Sequence, residues 1–302
     1  MRVLVTGGTG FIGSNLVSQL VKDNHEVILT GIEGEHKPEG FRGKYLQPSF
    51  IGIDWDAIDK VDVVFHQAAI NDTTLLDKME MFRANVESSK ALFNHVVDKG
   101  CKRIVYASST AVYGNEKAPY KENLTKLKPL NPYGESKKLL DEFAMKFAKE
   151  YGDVKIIGLR YCNVYGPREC FKGKRATMIY QLAQQMLNGN PRIFKHGEQK
   201  RDYIYVKDVV KANLLAAKAK ESCVVNCGYG KAVSFNDIIG ILNEVLKTKR
   251  KPEYIDNPYA DRYQSHTECD MSLAKEKINF VPEFDIKKGV NDYYKNGFLV
   301  NS

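Results

Sequence analysis

Met1–Asn15 reads MRVLVTGGTGFIGSN, and this stretch decides the fold. Arg2–Thr6 is an apolar run of strand length, and Phe11–Leu20 continues as an apolar helix. Between them Gly7, Gly10 and Gly13 recur at every third position. Each place has a physical use for glycine. Gly7 allows a tight turn from strand to helix, Gly10 lets backbone approach a pyrophosphate, and Gly13 lets the helix pack on the strand. The free N–H groups at the helix start, around Phe11 and Ile12, then face an anion. Three spaced glycines are a weak sign alone. Placed after a strand and at the start of a helix they are a strong one.

The 302 residues suffice for one large core or two modest ones. Apolar residues make up 43% and charged residues 27%, the balance of a soluble globular protein. No apolar run reaches membrane-spanning length. Met1 leads directly into the first strand, so we expect no signal peptide and a cytoplasmic protein. Cys101, Cys162, Cys170, Cys223, Cys227 and Cys269 show no CxxC pair and no metal-ligand spacing with histidine. They read as reduced thiols, with neither disulfide nor metal expected. The formal charge of +8 raises the question of nucleic acid. The basic residues are dispersed, with Lys247–Lys251 (KTKRK) the one dense run, and no nucleic-acid motif accompanies them. A substrate carrying two phosphates suits such a charge better.

Glu26–Thr30 (EVILT) reads as the second strand. Dinucleotide-binding folds usually end this strand in an acid that bonds a ribose hydroxyl. Here the end is Thr30-Gly31, and Glu33 is the nearest acid. The missing acid removes one barrier to a 2′-phosphate, for which Arg42 or Lys44 could supply the counter-charge. The reading leans to NADP, while Glu33 keeps NAD open. Val61–Phe65 is a further apolar run, ending in His66-Gln67-Ala68-Ala69. These small residues would let a cofactor lie across the strand end, and would equally suit a helix-capping loop. Met79–Lys99 has helical period, and Asn85 falls inside its apolar pattern. A buried Asn must find partners, so Asn85 reads either as a brace for the site or as a surface residue.

Arg103–Ala107 (RIVYA) is the next strand, and it runs into Ser108-Ser109-Thr110-Ala111-Val112-Tyr113-Gly114. Hydroxyls at the carboxyl end of a parallel strand sit where such folds bind ligands. After a turn at Pro129–Pro132, Tyr133-Gly134-Glu135-Ser136-Lys137 opens a helix running to about Tyr151, with Tyr133 and Lys137 on one face. Further strands are expected at Lys155–Arg160, within Lys200–Asp208 and at Cys223–Cys227. Helices are expected at Thr177–Asn188, Val209–Lys220 and Ser234–Lys247, the last with Ser234 as N-cap. The alternation predicts an α/β fold, a doubly wound parallel sheet. We expect residues 1–165 to form that unit with elements added from 201–230, and 166–200 with 231–302 to form a smaller C-terminal lobe.

Ser109, Tyr133 and Lys137 make a coherent chemical set. A phenol of pKa about 10 is a poor base at neutral pH. A neighbouring ammonium and an oxidised nicotinamide would stabilise phenolate and lower that value. The serine hydroxyl could hold a substrate hydroxyl in line while its proton passes to the phenolate and hydride leaves for the cofactor.

With the glycine turn, SSTAVYG (Ser108–Gly114) and YGESK (Tyr133–Lys137), the chain resembles the extended short-chain dehydrogenase/reductases of the NAD-dependent epimerase type over essentially its whole length. The resemblance implies a Rossmann sheet, a nucleotide-sugar substrate and a homo-oligomer. It implies Ser109 as catalytic hydroxyl, Tyr133 as base and Lys137 as its activator and ribose ligand. Cofactor contacts would come from Gly7, Gly10, Phe11, Ile12, Gly13, Thr30, Gln67, Ala68, Ala69, Asn85, Ser108, Tyr133, Lys137 and Tyr161. The family's sugar dehydratases carry an Asp-Glu pair just after the catalytic hydroxyl, where this chain has Thr110 and Ala111. Epimerase-reductases of the GDP-fucose synthase kind use a Cys–His pair that Ser109–Tyr113 and Gly166–Glu169 lack. Epimerisation by transient oxidation passes both tests.

Several downstream stretches are similar to the epimerases that invert carbon 6 of ADP-heptose for lipopolysaccharide. They are Thr73-Thr74, NVYGPRE (Asn163–Glu169), Lys172-Gly173, KRDYIYV (Lys200–Val206) and Arg262-Tyr263-Gln264. That likeness implies Lys172 as a second acid/base opposite Tyr133, although a solvated lysine or a phosphate contact would read the same way. It implies Arg201 on the pyrophosphate, for which a salt bridge with Asp202 is the plainer alternative. Asn163 and Thr110 would contact sugar or phosphate, and Arg262 and Tyr263 would close the nucleotide end. One departure is Cys162, where the family usually has an aromatic. A UDP-hexose 4-epimerase would share Ser109, Tyr133 and Lys137 without needing Lys172, and is the alternative. A redox-inert dinucleotide-binding scaffold is disfavoured, because both Tyr133 and Lys137 are kept.

Overall fold

Consecutive residues of a strand face opposite sides of a sheet, so a strand apolar at every position must be buried on both. Val3, Leu4 and Val5 are such a run, each 0% exposed, in a computed structural model of the chain. Val3 and Val5 belong to one apolar core and Leu4 to another across the sheet. The structure describes residues 1–32, 37–38, 40–48, 52–72, 75, 77–124, 126–258 and 264–300, leaving aside the Lys174 side chain. Glu33, Thr73, Thr74, Arg262 and Tyr263 lie outside the described residues.

The strands β1 (Arg2–Thr6), β2 (Glu26–Thr30), β3 (Lys44–Leu46), β4 (Val63–His66), β5 (Arg103–Ser109) and β6 (Lys155–Tyr161) form the main sheet. Next come β7 (Asn163–Tyr165), β8 (Arg192–Phe194) and β9 (Lys200–Tyr205), before β10 (Cys223–Cys227) returns to the edge of that sheet. The order is β10-β6-β5-β4-β1-β2-β3, every pairing parallel. A second sheet joins β11 (Ala232–Ser234), β9 and β13 (His266–Thr267), with β7 also on β9, while β12 (Glu253–Ile255) pairs with β8. The helices are α1 (Phe11–Lys22), α2 (Lys78–Phe82), α3 (Ser88–Asp98), α4 (Pro132–Glu150), α5 (Met178–Asn188), α6 (Val206–Ala216), α7 (Phe235–Leu246), α8 (Ser272–Ile278) and α9 (Ile286–Lys295). This is the expected doubly wound α/β sheet. Its strand order reverses between β1 and β4, which is where such folds hold ligands. No helix among the described residues is long and apolar enough to cross a membrane.

Several boundaries depart from expectation. Met79–Lys99 is not one regular helix, because a π-helical turn at Arg83–Glu87 separates α2 from α3. Asn85 sits in that widened turn and directs its amide to the Ile70 backbone and Ser136, and also to Met81 Sδ one turn back. The expected helix Val209–Lys220 begins earlier, at Val206, as soon as β9 ends. At α7 the expectation of a Ser234 cap holds, as a reciprocal capping box with Asp237.

Candidate active site

The glycine turn is built by close backbone contacts. Gly7 has φ +63°, and a Cβ there would lie 2.8 Å from the Ala68 backbone. A Cβ on Gly13 would meet the Gly7 carbonyl at 2.1 Å. The end of β2 staples the turn, since Gly7 N–H donates to Thr30 Oγ1 at 3.3 Å and Gly8 N–H to the Thr30 carbonyl at 2.8 Å. The α1 N-cap is Gly10, with no side-chain cap and no acid in the first turn. Its opening N–H groups are therefore disposed towards an anion. At the next residue of the β2 end an acid has no room, because a Cβ on Gly31 would fall 2.4 Å from Thr9 Oγ1. Of the two cations considered for a 2′-phosphate, Lys44 is engaged with the Ala57 carbonyl and Arg42 is exposed. Nearby, the Lys37 ammonium stands 4.6 Å from the Tyr45 ring, whose hydroxyl donates to the Ile32 carbonyl.

Beyond β4, His66 is fully buried between hydroxyls, with Nδ1 2.7 Å from Thr6 Oγ1 and Nε2 2.8 Å from Ser89 Oγ. Burial, helped by the charge of Lys137, pushes its pKa down to about 3. Asn85 exchanges two hydrogen bonds with the Ile70 backbone, at 2.8 and 2.9 Å, and donates to Ser136 Oγ at 3.1 Å. Ser136 in turn donates to the Tyr133 carbonyl at 2.7 Å. Asn85 is thus the buried brace between the β4 end and the start of α4. Gln67 and Tyr161 share Asn213 of α6: Gln67 Nε2 donates to its Oδ1 at 3.0 Å, and its Nδ2 donates to the Tyr161 hydroxyl at 2.9 Å.

At the start of α4, Asn131 caps the Gly134 N–H at 2.9 Å and Pro132 occupies the first turn. A Cβ on Gly134 would lie 2.7 Å from the Ala111 carbonyl, so the helix start presses on the turn after β5. This brings the half-buried Tyr133 beside Ser109. Lys137 is 2% exposed, donates to the Ala107 carbonyl at 2.8 Å, and lies 5.8 Å from the Tyr133 ring centre. Its own burial holds it down to about 8, against the charge of Asp141 one turn on. Burial pushes Tyr133 up, and Ser109 beside it opposes the rise. Thr110 directs its hydroxyl to the Tyr161 carbonyl at 3.1 Å.

Residues 166–177 form a strap along α1. Asn15 Nδ2 donates to the Pro167 carbonyl at 2.9 Å, Arg168 to the Ser14 carbonyl at 2.7 Å, and Arg175 to Asn71 Oδ1 at 3.0 Å. The half-buried Lys172 places its ammonium 5.6 Å from the Phe11 ring centre. Burial pushes its pKa down, and Glu169 pulls it back up. Among the described residues, the ring that Lys172 meets is Phe11 of α1.

On β9, Arg201 and Asp202 are strand neighbours on opposite faces, so the plain salt bridge between them does not form. The Asp202 carboxylate is 0% exposed and accepts the N–H groups of Tyr229, Gly230 and Cys269. Burial still raises it to about 6. Arg201 donates to the Lys200 carbonyl and lies 5.9 Å from the Phe235 ring. Asn163 donates to the Asp202 carbonyl at 2.9 Å. The cysteines are less scattered in space than in sequence: Cys162, Asp202 and Cys269 bring ligand atoms within 4.8 Å of one another. Both thiols are free, and burial pushes both up.

The model of the NAD dependent epimerase/dehydratase family matches residues 3–228. The chain belongs to this family. Among solved structures, the ADP-L-glycero-D-manno-heptose-6-epimerase of Helicobacter pylori is 35% identical, with a TM-score of 0.89 over 98% of this chain and 95% of that one. A UDP-N-acetylglucosamine 4-epimerase of Methanobrevibacter ruminantium, solved with UDP-N-acetylmuramic acid, is 30% identical, with a TM-score of 0.89 over 97% of each chain. A UDP-glucose 4-epimerase of Thermotoga maritima, solved with UDP-glucose, is 30% identical, with a TM-score of 0.88 over 98% of this chain and 99% of that one.

The residues of this epimerase/dehydratase chain fit a dinucleotide. The glycine cradle admits no side chain at Gly7 or Gly13, and the helix start above it is uncapped. Ser108 Oγ at the β5 end is buried without a hydrogen-bond partner among the described residues. Sequence reading missed Asn213, His66 and Asp202. Asn213 lies on a helix with nothing local to mark it, while His66 could have been suspected from its place at a strand end.

Proposed function

We propose that the chain is a nucleotide-sugar epimerase acting by transient oxidation, with inversion at carbon 6 of an ADP-heptose-like substrate as its reaction. The observation that carries the epimerase reading is Tyr133 set beside Ser109, with Lys137 buried next to it and the uncapped glycine turn two strands along, and the 35% identity with a heptose-6-epimerase supports the heptose-like substrate. Bound NAD(P) supplies the hydride acceptor and a positive ring near the phenol. Ser109 orients the sugar hydroxyl, Tyr133 takes its proton and returns it, and Lys137 holds the ribose and favours phenolate. Lys172 serves the opposite face of the sugar. Arg201, Asn163 and Thr110 hold phosphate and sugar, and Arg262 with Tyr263 closes the nucleotide end. The missing acid at Thr30-Gly31 supports a lean to NADP. Residues 1–165 with 201–230 form the cofactor unit, and the remainder the substrate lobe. Two copies pair, in this reading, along α2–α4, where an open groove lined by Phe82, Val86, Leu139 and Phe143 is rimmed by Glu87, Lys90, Glu142 and Lys146.

The likeness to UDP-sugar 4-epimerases at 30% identity supports a second reading, 4-epimerisation of a UDP-hexose. Incubation with ADP-heptose and, separately, UDP-glucose separates the two by NMR of the products. Turnover of UDP-glucose alone overturns the first reading.

A further inference from the structure

Three segments remote in sequence bring two thiols and a carboxylate to one point, and the proposed chemistry uses none of the three. Cys162 follows β6, Asp202 lies on β9, and Cys269 stands just beyond β13. Their sulfur and carboxylate atoms lie within 4.8 Å of one another, and no other group of three or more His, Cys, Asp or Glu side chains converges in this way among the described residues. The backbone fixes each member. Cys162 N–H donates to the Cys227 carbonyl at 3.0 Å, and Cys269 N–H donates to Asp202 Oδ2 at 3.0 Å. Gly228, just past β10, keeps the space beside them open. A Cβ there would lie 2.7 Å from Asp202 Oδ2 and 2.9 Å from Cys162 Sγ.

The carboxylate also has acceptor capacity to spare. Gly230 and Cys269 donate to its Oδ2, while Oδ1 takes the Tyr229 N–H alone. A carboxylate has about four acceptor positions, so one on Oδ1 is left. An ion held about 2.3 Å from sulfur and about 2.1 Å from oxygen spans ligands up to about 4.6 Å apart, so this cluster needs little closure to grip one. Two thiolates with one carboxylate suit zinc better than the oxygen-seeking magnesium or calcium.

We propose that Cys162, Asp202 and Cys269 form a binding site for a single thiophilic divalent cation of the zinc type. Each thiol gives its proton to solvent and a sulfur lone pair to the ion, and water completes the tetrahedron. Cys162 is only partly buried, which gives the ion an entry. The ion clasps the carboxyl end of β6 to β9 and to the segment after β13. Asn163, next in sequence to Cys162, donates to the Asp202 carbonyl, and Thr110 donates to the Tyr161 carbonyl. The clasp therefore lies beside two residues assigned above to the substrate, but it does not rest on the epimerase reading.

Zinc sulfate titrated calorimetrically into the full-length, cofactor-loaded protein, reduced with a phosphine and free of chelator, tests the site. One ion per chain is expected. Cys162→Ala and Cys269→Ala should each weaken binding by about 100-fold or more. Cys170→Ala and Cys223→Ala, at thiols outside the cluster, should bind as the parent does. X-ray absorption at the zinc edge of the parent complex should show two sulfurs at about 2.3 Å. No uptake by the parent, unchanged binding in both Cys162→Ala and Cys269→Ala, or zinc coordinated without sulfur overturns the proposal. If both variants fail to fold, the parent decides: zinc should shield Cys162 from iodoacetamide, and undiminished alkylation of Cys162 in the zinc-loaded protein overturns the site. None of these readouts uses turnover, so failure of the epimerase reading leaves them intact.

Discussion

Lys137 donates its ammonium to the Ala107 carbonyl across 2.8 Å, and that bond ties the second turn of α4 to the carboxyl end of β5. Tyr133, one turn earlier on the same face, is thereby carried to Ser109. In the proposed reaction this phenol moves the proton. Tyr133→Phe removes the hydroxyl and keeps the ring, so turnover is expected to fall about 10³-fold. Cofactor content and thermal midpoint should stay near those of the parent. Full turnover in the variant, measured by NMR, would show that another group is the base.

His66 is held neutral by burial, with a native pKa of about 3 against an ordinary value near 6.5. Its contribution to stability is fully present above the unfolded value. It is lost as pH falls from there towards the native value, because only the unfolded chain takes up the proton. Between pH 7 and pH 5 the parent should lose about 2 kcal/mol relative to His66→Gln. Urea titration of both proteins at the two pH values measures the difference, and parallel pH curves would contradict it.

Arg160 and Asp141 form a buried pair at 2.9 Å, with side chains only 7% and 6% exposed. The Tyr106 hydroxyl donates to the other Asp141 oxygen at 2.8 Å, and Arg160 reaches the Tyr113 hydroxyl at 2.9 Å. Asp141→Ala leaves the guanidinium buried without its counter-charge, and about 3–5 kcal/mol of stability should be lost. Denaturant unfolding checks this, and a loss under about 1 kcal/mol would mean that water replaces the carboxylate.

Gly13→Ala places a methyl 2.1 Å from the Gly7 carbonyl, against backbone that cannot swing aside. A cost of about 1–3 kcal/mol is expected, with weakened cofactor retention because the same turn forms the cradle. Cofactor released on denaturation, quantified per mole of protein, reports the second effect. Unchanged content would separate the turn from cofactor binding.

What the sequence made legible is local. Glycines between a strand and a helix announce their turn, and helical period alone places Tyr133 and Lys137 on one face. Partnerships across long separations are silent. Gln67 meets Asn213 across 146 residues, and nothing near either marks the other. Glu169 closes the quoted NVYGPRE stretch, yet its bond to the Thr177 N–H shows only in the fold. Cys162 and Cys269 pair because β6 and the segment entering α8 converge around Asp202. Spacing likewise shows that an ammonium is near the Tyr133 phenol, while the burial that pushes the phenol up is a property of the whole fold.

The central claim is that carbon 6 is inverted by hydride leaving and returning. Epimerisation of ADP-heptose in heavy water, followed by proton NMR, tests it directly. A hydride held on the cofactor does not exchange with solvent, so the product should form with its carbon-6 hydrogen unlabelled. Deuterium at carbon 6 of the product would contradict the account.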